Sequence, residues 1–258
     1  MDAPDARPFL VIGHRGAAGH EPENTLRSFR RALELGADGV ELDVRLSADG
    51  ELVVFHDAAL QRVTDGRGPL ARRTLDQLRA CDAGRGERIP TLREVFESVD
   101  RRAFINIELK ARGTARAVEA LIAEFIAQRG WEPEHFIVSS FLRRELALIR
   151  DPRVRRGVLF TRPGLGWAAL AQRLNAWSVH PGARWTGARF VRAAQRRGWR
   201  VIPYTVNDPR ELARLRGIGV DGVFTDFPDR VKAAGLLAAG DGRSRPESMS
   251  KPASRKDR

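Results

Sequence analysis

Residues 40–44 read Val-Glu-Leu-Asp-Val, and residues 105–110 read Ile-Asn-Ile-Glu-Leu-Lys. Polar and apolar residues alternate with a period of two in both, which is the period of a β-strand. Glu41 and Asp43 therefore share one face, and Val40, Leu42 and Val44 the other. Asn106, Glu108 and Lys110 share a face in the same way, backed by Ile105, Ile107 and Leu109. The apolar side of each strand needs a layer of helices to cover it. The acidic side points inward, where two carboxylates on one strand are very costly without a cation.

The rest of the chain supplies the helices. Short apolar runs predict strands at Phe9–Ile12, Val40–Leu46, Phe104–Leu109, Phe136–Ser139, Gly157–Phe160, Ala176–Val179, Arg200–Thr205 and Gly222–Thr225, with a short extra one at Leu52–Phe55. Helical patterns lie between them. Asn24–Leu35 carries Leu26, Phe29, Ala32 and Leu33 at helical spacing. Thr91 and Glu94 form a capping box for a helix ending near Val99. Thr114–Gln128, Leu142–Arg150, Trp167–Arg173, Thr186–Arg197, Pro209–Arg216 and Pro228–Leu237 complete the set, and residues 57–90 read as loop. Strict alternation of strand and helix predicts a parallel sheet. Eight such units predict a single closed (β/α)8 TIM barrel over residues 9–239. Residues 1–8 read as an N-terminal arm. The Ser/Pro/Arg/Lys-rich segment 240–258 reads as a basic, disordered tail.

Composition narrows the function classes. The chain has 258 residues and a net charge of +12, nearly all from arginine. Such a surface suits phosphorylated metabolites or peripheral contact with an anionic membrane, or it is simply solvated. The charge is not gathered into an arm interleaved with aromatics, so no nucleic-acid partner is expected. Cys81 is the only cysteine, which excludes an intrachain disulfide and a cysteine zinc site. No run is apolar enough to span a bilayer, and the first residues do not resemble a secretory leader, so a cytoplasmic location is expected.

Three inward carboxylates, Glu41, Asp43 and Glu108, offer an oxygen site for one hard divalent cation, Mg²⁺ or Ca²⁺. The alternative is a buried salt-bridge network with Lys110 and an arginine. His14 and His56 each close a strand, at the end of a barrel where active sites are built. Two histidines can serve as acid and base in a phosphoryl displacement. Arg15 can grip phosphate oxygens bidentately. His20 and His135 read as exposed loop residues, and His180, just past a strand, as an edge of the pocket or as structure.

In chain order, these residues fall into a recognisable series. His14-Arg15-Gly16 with Pro22-Glu23-Asn24-Thr25 resembles the opening signature of the glycerophosphodiester phosphodiesterase family. Glu41-Leu42-Asp43-Val44 and Val54-Phe55-His56-Asp57 resemble its second block. Thr64-Asp65-Gly66, Ile89-Pro90-Thr91-Leu92, Asn106 to Lys110, Ser140-Phe141, Thr205-Val206-Asn207 and Gly222 to Asp226 continue it. The resemblance implies a TIM barrel that hydrolyses glycerophosphodiesters, small-molecule substrates, to glycerol 3-phosphate and an alcohol. It implies His14 and His56 as the acid–base pair and Glu41, Asp43 and Glu108 as metal ligands. Arg15 and Lys110 would bind phosphate, and Phe141 would form an apolar wall. Glu23 and Asn24 would shape the loop near the metal, although Asn24 also suits a helix N-cap. Asp226 would order the last loop. Tyr204 stands where the family often has Trp, either as an aromatic wall of the site or as barrel packing. The nearest rival is a lysophospholipase D-type enzyme on the same barrel, with the apolar residues of the loop 160–167 meeting an acyl chain. The secreted, disulfide-bonded sphingomyelinase D type fits poorly with one cysteine.

Overall fold

The computed structural model describes residues 8–240. Apart from Pro8 and Gly240, the expected arm and tail lie outside the described residues. Eight strands run parallel: β1 (Leu10–Gly13), β2 (Gly39–Leu46), β4 (Phe104–Leu109), β5 (Phe136–Ser140), β6 (Arg155–Phe160), β7 (Ser178–Pro181), β8 (Arg200–Val201) and β9 (Gly222–Thr225). Between them β3 (Leu52–Val54) pairs antiparallel with the end of β2. The order around the sheet is β8-β7-β6-β5-β4-β2-β1-β9.

Backbone hydrogen bonds close the ring between β8 and β9. Asp221 N–H donates to Val201 O at 2.9 Å, Phe224 N–H to Pro203 O at 3.0 Å and Val206 N–H to Phe224 O at 2.8 Å. The predicted strand Arg200–Thr205 is cut to two regular residues. Ile202 and Tyr204 N–H still donate to Val179 O and Pro181 O of β7, but Pro181 has no N–H to return to β8, so the regular ladder is short there. The fold is the (β/α)8 barrel that the alternation predicted.

The helices are α1 (Leu26–Glu34), α2 (Leu75–Arg79), α3 (Leu92–Val99), α4 (Thr114–Arg129), α5 (Arg143–Leu146), α6 (Trp167–Arg173), α7 (Ala188–Gln195), α8 (Pro209–Gly217) and α9 (Pro228–Gly240). The Thr91 capping box forms as expected, with Thr91 Oγ1 accepting from Glu94 N–H and Glu94 accepting from Thr91 N–H. The helix predicted at Leu142–Arg150 shrinks to the single turn of α5. Residues 57–90 are more ordered than a loop. Thr74 and Gln77 cap α2, and Val53, Phe55, Leu60, Leu70, Leu78 and Ile89 pack into a small separate core. Val53 and Phe55 belong to the predicted strand, but Leu60, Leu70, Leu78 and Ile89 follow neither a helical nor a strand period, so the pattern did not reveal them.

Two layers of packing position the site. Outside the barrel wall, Val40, Leu42, Val44, Ile105, Ile107 and Leu109 are buried against the helices, each worth roughly 1.5–3 kcal/mol. Inside, Ile12, Ile202 and Phe224, with Phe104, Trp177 and Tyr204 against them, plug the barrel. In parallel register Glu41 lies beside Asn106, and Asp43 beside Glu108. The acids of two neighbouring strands therefore meet at the C-terminal mouth.

Candidate active site

Glu41, Asp43 and Glu108 each present an oxygen such that all three lie within 4.8 Å of one another, and all three residues are buried. The salt-bridge reading of the acids is realised in part. Lys110 Nζ sits 2.9 Å from Glu108 Oε1 and 3.6 Å from Asp43 Oδ1, and Arg15 Nε lies 3.3 Å from Asp43 Oδ2. Glu41 has no ion pair among the described residues. It accepts only the backbone N–H of Arg15, at 2.8 Å. Burial, then the neighbouring Asp43 charge, pushes the Glu41 and Glu108 carboxyls above the usual carboxylate range. A cluster of this kind, all oxygen and short of one positive charge, fits a hard divalent cation such as Mg²⁺ or Ca²⁺.

The loop after β1 holds the first basic group. Arg15 is in the left-handed region (φ 52°) and is followed by Gly16 (φ 87°). A Cβ on Gly16 would meet Ser28 Oγ at 2.4 Å, so α1 can pack against this turn only over a glycine. Asn24 is not the N-cap of α1: Thr25 is, accepting from Ser28 N–H. Freed from capping, Asn24 donates from Nδ2 to Asp43 Oδ2 at 2.9 Å and accepts from Asp43 N–H. Glu23 accepts from Arg15 Nη1 at 2.8 Å and from both terminal nitrogens of Arg62.

Each histidine is held by a carboxylate. His14 Nδ1 lies 2.7 Å from Asp226 Oδ1, which leaves Nε2 for the site. Burial pulls His14 down, but the Asp226 bond and the Glu41 charge outweigh it, so its pKa is raised. His56 Nδ1 lies 2.6 Å from Asp57 Oδ1, and its Nε2 is 3.1 Å from Lys110 Nζ. An ammonium can only donate, so His56 Nε2 is the acceptor and Nδ1 carries the hydrogen. His56 is shifted down, mainly by burial.

Sequence reasoning missed several supports. The Asp226 backbone carbonyl does order a loop by accepting from Gly19 N–H, but its carboxylate grips both His14 and Asn207 Nδ2. Arg62 holds Asp57, and Arg45 Nε donates to the His56 carbonyl at 2.9 Å. Extending the two-residue period one step past Asp43 would have found Arg45. Arg62 sits in a stretch without pattern and gave no signal.

Tyr204 is half-buried. It packs on the inner plug, and with His14, Glu41 and Glu108 it lines a small cavity below the carboxylates. Its ring meets Phe141 edge-on at 6.0 Å, and Phe141 is half exposed at the mouth. His20 is half-buried and bound to Asp229, and His135 is half-buried beside Trp131.

His180 is fully buried and lines the same cavity, with Nε2 2.7 Å from Ser178 Oγ. Gly157 makes room for it, since a Cβ there would meet the ring at 2.3 Å. Burial lowers its pKa from 6.5 to about 3. The folded-state value is depressed, so its contribution to stability is complete above pH 6.5 and declines as the pH falls toward 3. Denaturant titrations should show wild type losing up to about 1.4 kcal/mol more per pH unit than His180→Gln across that window. Parallel curves would mean that His180 is not kept neutral by the fold.

Residues 14–230 match the family model of the glycerophosphoryl diester phosphodiesterase family. The chain belongs to this family. Membership makes it a phosphoric diester hydrolase by descent. A glycerophosphodiester phosphodiesterase of Caldanaerobacter subterraneus is 38% identical over 231 residues, which cover 85% of this chain and 95% of that one. One of Bacillus altitudinis is 36% identical, covering 85% and 95%. Among solved structures, an Oleispira antarctica phosphodiesterase in complex with its product sn-glycerol-3-phosphate superposes with a TM-score of 0.81. It is 33% identical, over 88% of this chain and 96% of that one.

Proposed function

We propose that the protein hydrolyses water-soluble glycerophosphodiesters to sn-glycerol 3-phosphate and an alcohol, using one divalent cation and the pair His14 and His56. The observation that carries this reading is the convergence at one barrel mouth of three buried carboxylates, two carboxylate-held histidines, Arg15 and Lys110. Similarity to the Oleispira antarctica enzyme, which holds that product, supports the substrate class.

Glu41, Asp43 and Glu108 would hold the cation, which when bound neutralises phosphate charge. Arg15 and Lys110 stand beside the carboxylates, where they would pair with the remaining phosphate oxygens. His56 presents a lone pair on Nε2 and takes the proton from the attacking hydroxyl, either of water or of the substrate's own glycerol, the second route giving a cyclic phosphate that water then opens to glycerol 3-phosphate. The new P–O bond forms as the bond to the leaving alcohol breaks. His14, raised in pKa, gives its Nε2 proton to the departing oxygen. Two histidines pushed in opposite directions divide the roles of base and acid. Phe141 and Tyr204 would wall the glycerol side.

The test measures glycerol 3-phosphate released from glycerophosphocholine and glycerophosphoethanolamine, and acylglycerol 3-phosphate released from a lysophospholipid, with Mg²⁺, with Ca²⁺ and with EDTA. Release from the soluble diesters should fall to background in EDTA and return with one of the two ions. Turnover of the lysophospholipid alone would move the assignment to the lipid-cleaving rival. Activity unchanged by EDTA would refute the cation.

A further inference from the structure

Among the described residues the large apolar side chains left exposed are Phe141, Leu142, Leu165 and Trp185. They are not scattered. They sit on the loops that follow β5, β6 and β7, three neighbouring strands, all at the mouth where the site opens. Leu165 is fully exposed at 109% of its reference area. The large apolar residues of the loop 160–167 are Phe160, Leu165 and Trp167. Phe160 and Trp167 pack inward against the outer core, so only Leu165 is left for contact with something else.

The same loops are basic. Between residues 141 and 147, 161 and 166, and 182 and 189 stand Arg143, Arg144, Arg162, Arg184 and Arg189, all exposed. The one acid in these stretches, Glu145, is buried and accepts from Ala115 N–H. Arg162 lies over the Trp185 ring, with Cζ 4.7 Å from its centroid. Arg143 lines both the hollow at Phe141 and Leu142 and the hollow at Leu165, so the patch is continuous. Among the described residues none of Arg143, Arg144, Arg184 or Arg189 has an ion-pair partner. Elsewhere many arginines do, including Arg27, Arg62, Arg93 and Arg214.

We propose that this rim is a docking surface for an anionic lipid bilayer, holding the barrel mouth against the membrane. Exposed Leu, Phe and Trp among unpaired arginines match the headgroup–acyl boundary, which offers apolar depth and negative charge together. A nucleic acid would use the arginines but has no use for a protruding leucine, and an acidic protein partner would need its own apolar pocket to receive it. The proposal stands apart from the reading of the catalytic residues, since it concerns where the enzyme sits and not what it cleaves.

Co-sedimentation with vesicles tests it, using phosphatidylcholine alone and phosphatidylcholine mixed with phosphatidylglycerol. Wild type should bind the mixed vesicles and leave the neutral ones. Leu165→Glu and Arg144→Glu, on exposed positions outside the site, should each weaken binding about tenfold. Arg30→Glu, the same charge change on the exposed face of α1, should alter it by less than about twofold. All three variants should hydrolyse glycerophosphocholine as wild type does, which keeps a failure of docking separate from a failure of folding or chemistry. Absence of wild-type binding, or binding that Leu165→Glu leaves intact, overturns the proposal. The second outcome, together with release by salt, would describe a purely electrostatic polyanion site.

Discussion

Glu41→Gln is expected to lower turnover by about 10³-fold while making the metal-stripped protein more stable than wild type. The two effects share one cause. Glu41 is buried beside Asp43 and Glu108 without a cationic partner among the described residues. Its single contact, the Arg15 N–H, is one that a glutamine oxygen can also accept. The substitution therefore removes a like charge without orphaning a donor. Above about pH 8, where the Glu41 carboxyl is ionised, the gain should be about 1–4 kcal/mol, of the order seen when buried ion pairs are replaced by uncharged groups. The sign of its pH dependence follows from the raised carboxyl. A pKa higher in the folded state than in the unfolded one gives stability that is present in acid and lost as the pH rises. Stripped wild type should thus fall below Glu41→Gln in alkali and converge with it in acid. Thermal unfolding in EDTA, then with Mg²⁺ or Ca²⁺, reads all of this. The ion should raise the melting temperature of wild type and do little for the variant. An equal rise in both would remove Glu41 from the ligand set.

His14→Ala should reduce kcat by about 10²–10⁴-fold with little change in KM, because the lost group acts in proton transfer and not in binding. Asp226→Asn should fall between this variant and wild type. Asp226 touches no reacting atom in this scheme. It is a positioning residue that raises the pKa of His14 through their hydrogen bond. In the asparagine variant the alkaline limb of the pH profile, where His14 loses its proton, should move to lower pH. A merely structural role for Asp226 would scale the whole profile down without shifting that limb. Residual activity of His14→Ala near wild type would sink the assignment of His14 as the acid.

Much of this site could be read from the order of residues alone. A strand has a period of two, and parallel neighbours in register bring equivalent positions together. Val40–Val44 and Ile105–Lys110 therefore announced both the strand and its acidic inner face, and eight strand–helix units announced the barrel. Strand-end placement marked His14 and His56 for the same reason. The limits of the sequence were contacts between segments far apart in the chain. Asp226 meets His14 across 212 residues only because closing the barrel sets β9 beside β1. Arg62 reaches Glu23 and Asp57 from an aperiodic stretch. Asn24 was ambiguous until Thr25 took the cap and left its amide for Asp43. The split between the two histidines, one raised and one lowered, depends on burial and on charges from other strands. The clustering of Phe141, Leu142, Leu165 and Trp185 needed the strand order and the inward turn of Phe160 and Trp167. Local periodicity determined which faces were polar and which chemistry stood on them. Electrostatic environment and long-range partnership are properties of assembled surfaces, and only the closed barrel decided them.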